Sequence, residues 1–168
     1  MLEDHSPLKL TIFACGNPSR GDDALGLELI RLIAEKYAHQ ENIQFIEDFQ
    51  LQVEHALDLE NCHLALFIDA HVSCPPPFVL TRLQAVQENS YTTHALHPAT
   101  VLYVYQQICG RVPPPAFLLS LRGDRFELGE PLSQVAQEHL TTAFKLVNEL
   151  LETINISRWE ALINERFL

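Results

Sequence analysis

Three separated segments of this chain carry side chains able to do chemistry. The loop Gly16-Asn17-Pro18-Ser19-Arg20-Gly21-Asp22-Asp23 ends on adjacent carboxylates, Asp69 closes the apolar run 64–70, and His94 and His97 flank Ala95-Leu96 ahead of Pro98. Each has a plain structural use. An Asp at a helix start caps it and suits the positive end of its dipole. A His in such a loop is an ordinary polar residue, and His97, directly before Pro98, can be an N-cap. One helix start needs one carboxylate, so the second of the Asp22–Asp23 pair is left to point over the sheet edge. A carboxylate from each of two loops and an imidazole from a third make an oxygen, oxygen, nitrogen set with open positions. That set suits a borderline divalent ion such as Ni²⁺ or Zn²⁺, and neither an iron–sulfur cluster nor a Ca²⁺ loop. Such an ion can hold a water and a substrate carbonyl side by side.

Other chemistries lack their residues. Cys15, Cys62, Cys74 and Cys109 form no Cys-x-x-Cys, so zinc-ribbon and thioredoxin-type sites have no support. The remaining histidines (His5, His39, His55, His63, His71 and His139) make no His-Glu-x-x-His array. Gly-x-Ser-x-Gly, Gly-x-Gly-x-x-Gly and the P-loop Lys are also missing.

The elements that must position these residues alternate in period. Strands are expected over 8–15, 43–49, 64–70, 78–83 and 116–122, the fourth at an edge because Pro75-Pro76-Pro77 precedes it. Leu25, Leu29, Leu32 and Ile33 fall on one helical stripe. Further helices are expected at 53–59, from Pro98 through Ile108, and from Gln134 to about Glu152. Strands alternating with helices predict an α/β three-layer sandwich, a mainly parallel sheet with helices on both faces, flavodoxin-like or phosphorylase/hydrolase-like. In a flavodoxin-like 2-1-3-4-5 order the chain reverses between strands 1 and 3, and ligands bind at the carboxyl ends of those strands. Those ends deliver Asp22-Asp23 and Asp69.

The whole chain, 1–168, is expected to be one domain, with 153–168 a C-terminal helical extension. In that tail Ser157-Arg158-Trp159-Glu160 fits a capping box, and Trp159, Leu162, Ile163 and Phe167 share a face that should dock back on the domain. With 47% apolar and 20% charged residues the chain can build a core. Eleven basic against 22 acidic residues leave −11, which disfavours nucleic acid and anionic membranes as partners. The acidic start Met1-Leu2-Glu3-Asp4 and the thiol pattern suit a reduced, cytoplasmic protein.

The segments Cys15-Gly-Asn-Pro-Ser-Arg-Gly-Asp-Asp23 with Ala24-Leu25-Gly26, and Gln50-Leu-Gln-Val-Glu-His-Ala-Leu-Asp58, stand in a telling order. They are followed by Phe67-Ile-Asp-Ala70, Thr93-His-Ala-Leu96 with Pro98, and Leu121-Arg-Gly123 with Phe126-Glu-Leu-Gly129. In this order and spacing the chain resembles the endopeptidases that mature the large subunit of [NiFe] hydrogenases, most closely the subgroup serving bidirectional, NAD(P)-coupled enzymes. The resemblance runs to about Leu151. It implies a peptidase that removes a C-terminal extension from the large-subunit precursor after nickel insertion, with nickel carried by the substrate and no tightly bound organic cofactor. It also implies that Asp23, Asp69 and His94 contact the nickel and carry the catalysis, with His97 the other imidazole available for that role. Two positions depart from the family: Asp23 stands where many members have Glu, and Ala14-Cys15-Gly16-Asn17 where many have Gly-x-Gly-Asn. A non-catalytic nickel chaperone or docking protein, and a small-molecule hydrolase with a resident metal, are the competing readings.

Overall fold

The computed structural model describes residues 6–88 and 96–167. Strands β1 (Leu10–Cys15), β2 (Ile43–Asp48), β3 (Leu64–His71), β4 (Phe78–Arg82) and β5 (Ala116–Arg122) form one sheet in the order β2-β1-β3-β5-β4. β1 pairs in parallel with β2 and β3, and β3 in parallel with β5; β4 runs antiparallel to β5 at the edge. The helices are α1 (Leu25–Tyr37), α2 (Pro98–Cys109), α3 (Gln134–Glu152) and α4 (Ile156–Arg166). A 3₁₀ turn covers Gly21–Ala24, and Val53–Leu59, expected as a helix, is a 3₁₀ segment.

The central strands are apolar along their whole length because both faces are covered. Leu10, Ile12 and Ala14 of β1 and Leu64, Leu66 and Ile68 of β3 join α1, α3 and α4 in one buried cluster. The alternate residues Phe13, Ala65 and Phe67 meet α2 and the 3₁₀ segment in a second. The result is the three-layer α/β sandwich expected from the sequence.

The strand order departs from 2-1-3-4-5. The chain between β3 and β4, residues 72–77, is shorter than the dozen or so residues of a parallel crossover, so β4 must return antiparallel. It leaves one slot beside β3, which β5 fills. The reversal between β1 and β3 is unaffected, so the switch point lies where the sequence put it.

At the C-terminus Trp159 is fully buried, its ring edge against Phe117 at 5.3 Å and its indole N–H donating to the Leu150 carbonyl at 3.0 Å. The tail thus docks back, as its apolar face implied. The expected capping box at Ser157 does not form. Helix α4 starts earlier, and the Asn155 side chain caps it by accepting from the Arg158 N–H.

Candidate functional site

The loop after β1 folds back on itself at Gly16. A Cβ there would sit 2.0 Å from the carbonyl oxygen of Asp23, so only glycine allows the two backbones to meet. The closure places the Asn17 N–H 2.9 Å from Asp23 Oδ2.

The adjacent carboxylates then take different roles, and neither caps a helix. Asp22 is fully buried and ties this loop to the β5–α3 connection. Its oxygens accept from the N–H groups of Asp124 (2.9 Å), Arg125 (3.0 Å) and Ser133 (2.8 Å), and from the Ser133 hydroxyl (3.0 Å). Burial pushes this carboxyl up, but the hydrogen bonds outweigh it and hold it below the ordinary carboxylate range. Backbone straps reinforce the tie: Gly21 N–H to Glu130 O, Asp22 N–H to Arg125 O, and Gly129 N–H to Ser19 O. Asp23 is left to line a cavity of about 250 Å³ at the carboxyl ends of β1 and β3.

Asp69 lines the same cavity from β3. Side chains alternate along a strand, so Phe67 and Asp69 share the face that looks toward α2, as do Phe13 and Cys15 on β1. Phe13 and Phe67 stack at 4.6 Å and form an apolar floor. Over that floor the Asp69 carboxyl is pushed up to about 6. Burial is the main cause; the Ala70 N–H pulls the other way, the Asp23 charge adds to the rise, and His71 offsets part of it. The Cys15 thiol beside them is pushed up to about 12 by burial and then by the charges of Asp69, Asp48 and Asp23, and so stays protonated.

The remaining walls come from Phe49, Gln50 and Leu51 after β2, from Leu96 and Pro98 at the start of α2, and from Arg20. One imidazole clasps the wall after β2. His55 Nδ1 accepts from the Gln52 N–H at 2.8 Å, which makes Nε2 the protonated nitrogen, and Nε2 lies 3.3 Å from Asp48 Oδ2. Its ring meets Phe13 edge-on. Leu96 is joined to this wall by its N–H, which donates to Leu51 O.

The structure therefore brings together Asp23 and Asp69. His97 is exposed and caps α2, its Nδ1 accepting from the Ala99 N–H at 3.1 Å. His94 lies outside the described residues, two positions ahead of Leu96. Among the described residues no group of three or more His, Cys, Asp or Glu side chains is disposed to hold a metal ion. Sequence reasoning missed the His55 clasp, although Gln52 and His55 stand at capping-box spacing before an apolar run. It also passed over Arg20 and Cys15 as cavity walls, for which the sequence carries no signal.

A chain of this topology, with two acids at the switch point, can be set beside known structures. The [NiFe] hydrogenase maturation protease HycI of Thermococcus kodakarensis KOD1 superposes with a TM-score of 0.67 at 18% identity, covering 89% of this chain and 96% of that one. The hydrogenase maturating endopeptidase HybD of E. coli gives 0.66 at 19% identity, covering 86% and 93%. HybD of T. kodakarensis gives 0.63 at 18%, covering 85% and 99%. This is the fold of the hydrogenase maturation proteases. No family model matches the sequence, and no curated protein matches it either. At these identities the likeness is one of fold.

Proposed function

We propose that this chain is an endopeptidase that removes the C-terminal extension of a [NiFe]-hydrogenase large-subunit precursor once nickel has been inserted. On this reading Asp23, Asp69 and His94 contact the nickel, which arrives with the substrate, and no organic cofactor is bound. The partner belongs to the bidirectional, NAD(P)-coupled class, as the sequence resemblance implies. The four free cysteines are in keeping with a cytoplasmic setting. Among the described residues no helix is long and apolar enough to cross a membrane.

One observation carries the reading: two carboxylates remote in sequence line one cavity, and one of them, Asp69, resists ionising there. A divalent cation in the cavity would favour both anions at once, so the site is suited to a divalent charge. Docking of a nickel-loaded precursor supplies it. Peptide hydrolysis is slow because the amide is stabilised and water is a weak nucleophile. The nickel can polarise the scissile carbonyl. One of the two carboxylates is suited to accept a proton from attacking water and return it to the leaving amine. Selectivity follows, because an unloaded precursor leaves the two acids unpartnered.

The test is a reconstituted cleavage assay on nickel-loaded precursor, read by the mass of the large subunit, with Asp23→Asn, Asp69→Asn and His94→Ala. Loss of cleavage in each is expected, and full activity in all three discards the site. Precursor that binds without losing mass would instead indicate a nickel chaperone.

A further inference from the structure

Arg20 lines the cavity that holds Asp23 and Asp69, yet it pairs with neither. Among the described residues, Arg20 and Arg125 are the arginines without an ion pair. Arg31, Arg82, Arg111, Arg122, Arg158 and Arg166 all have a carboxylate partner. Among the described residues its side chain makes one hydrogen bond, a neutral one, the Arg20 Nε–H donating to the Phe126 carbonyl at 3.1 Å. That contact belongs to the same strapped junction as the backbone bonds of Ser19, Gly21 and Asp22. A guanidinium anchored through Nε keeps both Nη groups, the flat pair of donors that matches two oxygens on one carbon.

We infer that Arg20 binds the scissile carbonyl oxygen of the peptide substrate, and both oxygens of the carboxylate that this carbon becomes. The inference rests on the endopeptidase reading. In hydrolysis the water oxygen bonds to the carbonyl carbon, the C–N bond breaks, and both water protons end on the leaving nitrogen, so the products are a carboxylate and an ammonium. Negative charge builds on the carbonyl oxygen before the bond breaks, and that is where a fixed cation lowers the barrier. The two acids cannot do this, because their own charge repels the developing one. The cavity is thus bipolar, with carboxylates for the cation and nucleophile and a guanidinium for the oxyanion.

The test compares wild type, Arg20→Gln and Arg20→Lys on the nickel-loaded precursor, with thermal melts of each and with guanidinium added to Arg20→Ala. Removing one oxyanion donor typically costs about 100-fold or more in rate. Arg20→Gln should therefore lower kcat by roughly that factor with KM changed less than about threefold. Arg20→Lys should fall between, and added guanidinium should restore part of the Arg20→Ala rate. If wild type cleaves and Arg20→Gln matches its kcat, this inference fails and the endopeptidase reading stands. Equal losses in all variants, tracking lowered melting points and unrescued by guanidinium, would assign Arg20 to loop structure and also overturn the inference. If wild type does not cleave, both readings fall.

Discussion

Replacing Asp69 by Asn should make the folded protein more stable at neutral pH and abolish its function. The native carboxyl titrates near 6 against an ordinary value of 3.8, so the folded state binds its proton more tightly than the unfolded chain. Between those two values the folded state carries more protons, and stability falls as pH rises through the window. At about 1.36 kcal/mol per tenfold change in proton affinity, the full span is worth roughly 3 kcal/mol. Local relaxation and water entry leave a measurable part of roughly 1–3 kcal/mol, which for a chain of this size is on the order of 5 °C in melting temperature. Asn keeps the shape and can still accept from the Ala70 N–H, but it has no charge to bury. The assay is thermal or urea unfolding of wild type and Asp69→Asn from pH 4 to 8. The difference between them should open between pH 4 and 6 and level off above. A flat difference across that range refutes the account of a carboxylate held against its own burial. In wild type the same proton must leave before a cation binds, so nickel-dependent precursor binding should weaken about tenfold per pH unit below about 6.

Asp22→Ala removes a buried carboxylate that accepts from three backbone donors and a hydroxyl, and should cost about 2–4 kcal/mol in denaturant unfolding. Because the native Asp22 carboxyl is held below its ordinary value, its contribution is complete above that value and is lost as pH falls through the native one. Gly16→Ala forces a Cβ onto the Asp23 carbonyl, so it should lower both melting temperature and cleavage rate; a variant as active and stable as wild type contradicts the geometry. His55→Ala opens the clasp on the cavity wall and should raise KM at least severalfold, whereas His55→Gln, able to accept from Gln52 and donate to Asp48, should recover much of the loss. Steady-state kinetics on the two variants separates a role for the imidazole's two hydrogen bonds from one for its bulk.

Local pattern determined much of this protein. Apolar runs bounded by Gly and Pro fix β1 and β3, the stripe Leu25, Leu29 and Ile33 fixes α1, and the prolines before Phe78 mark an edge strand. The rule that ligands gather at a reversal of strand order then puts Asp23 and Asp69 at one place before any coordinates are known, since it depends only on which strands precede which loops. What the sequence could not separate was Asp22 from Asp23. Identical side chains one residue apart have the same propensities, and their difference comes from the β5–α3 connection, some hundred residues further on, which captures Asp22 with four donors. The same holds for Arg20, His55 and the slot that β5 takes between β3 and β4. Each is settled by contacts between segments distant along the chain, and such contacts leave no periodicity in either partner. Local pattern specifies elements because each residue acts on its neighbours within a turn; the electrostatics of the cavity arise only when burial removes the water that would otherwise screen them.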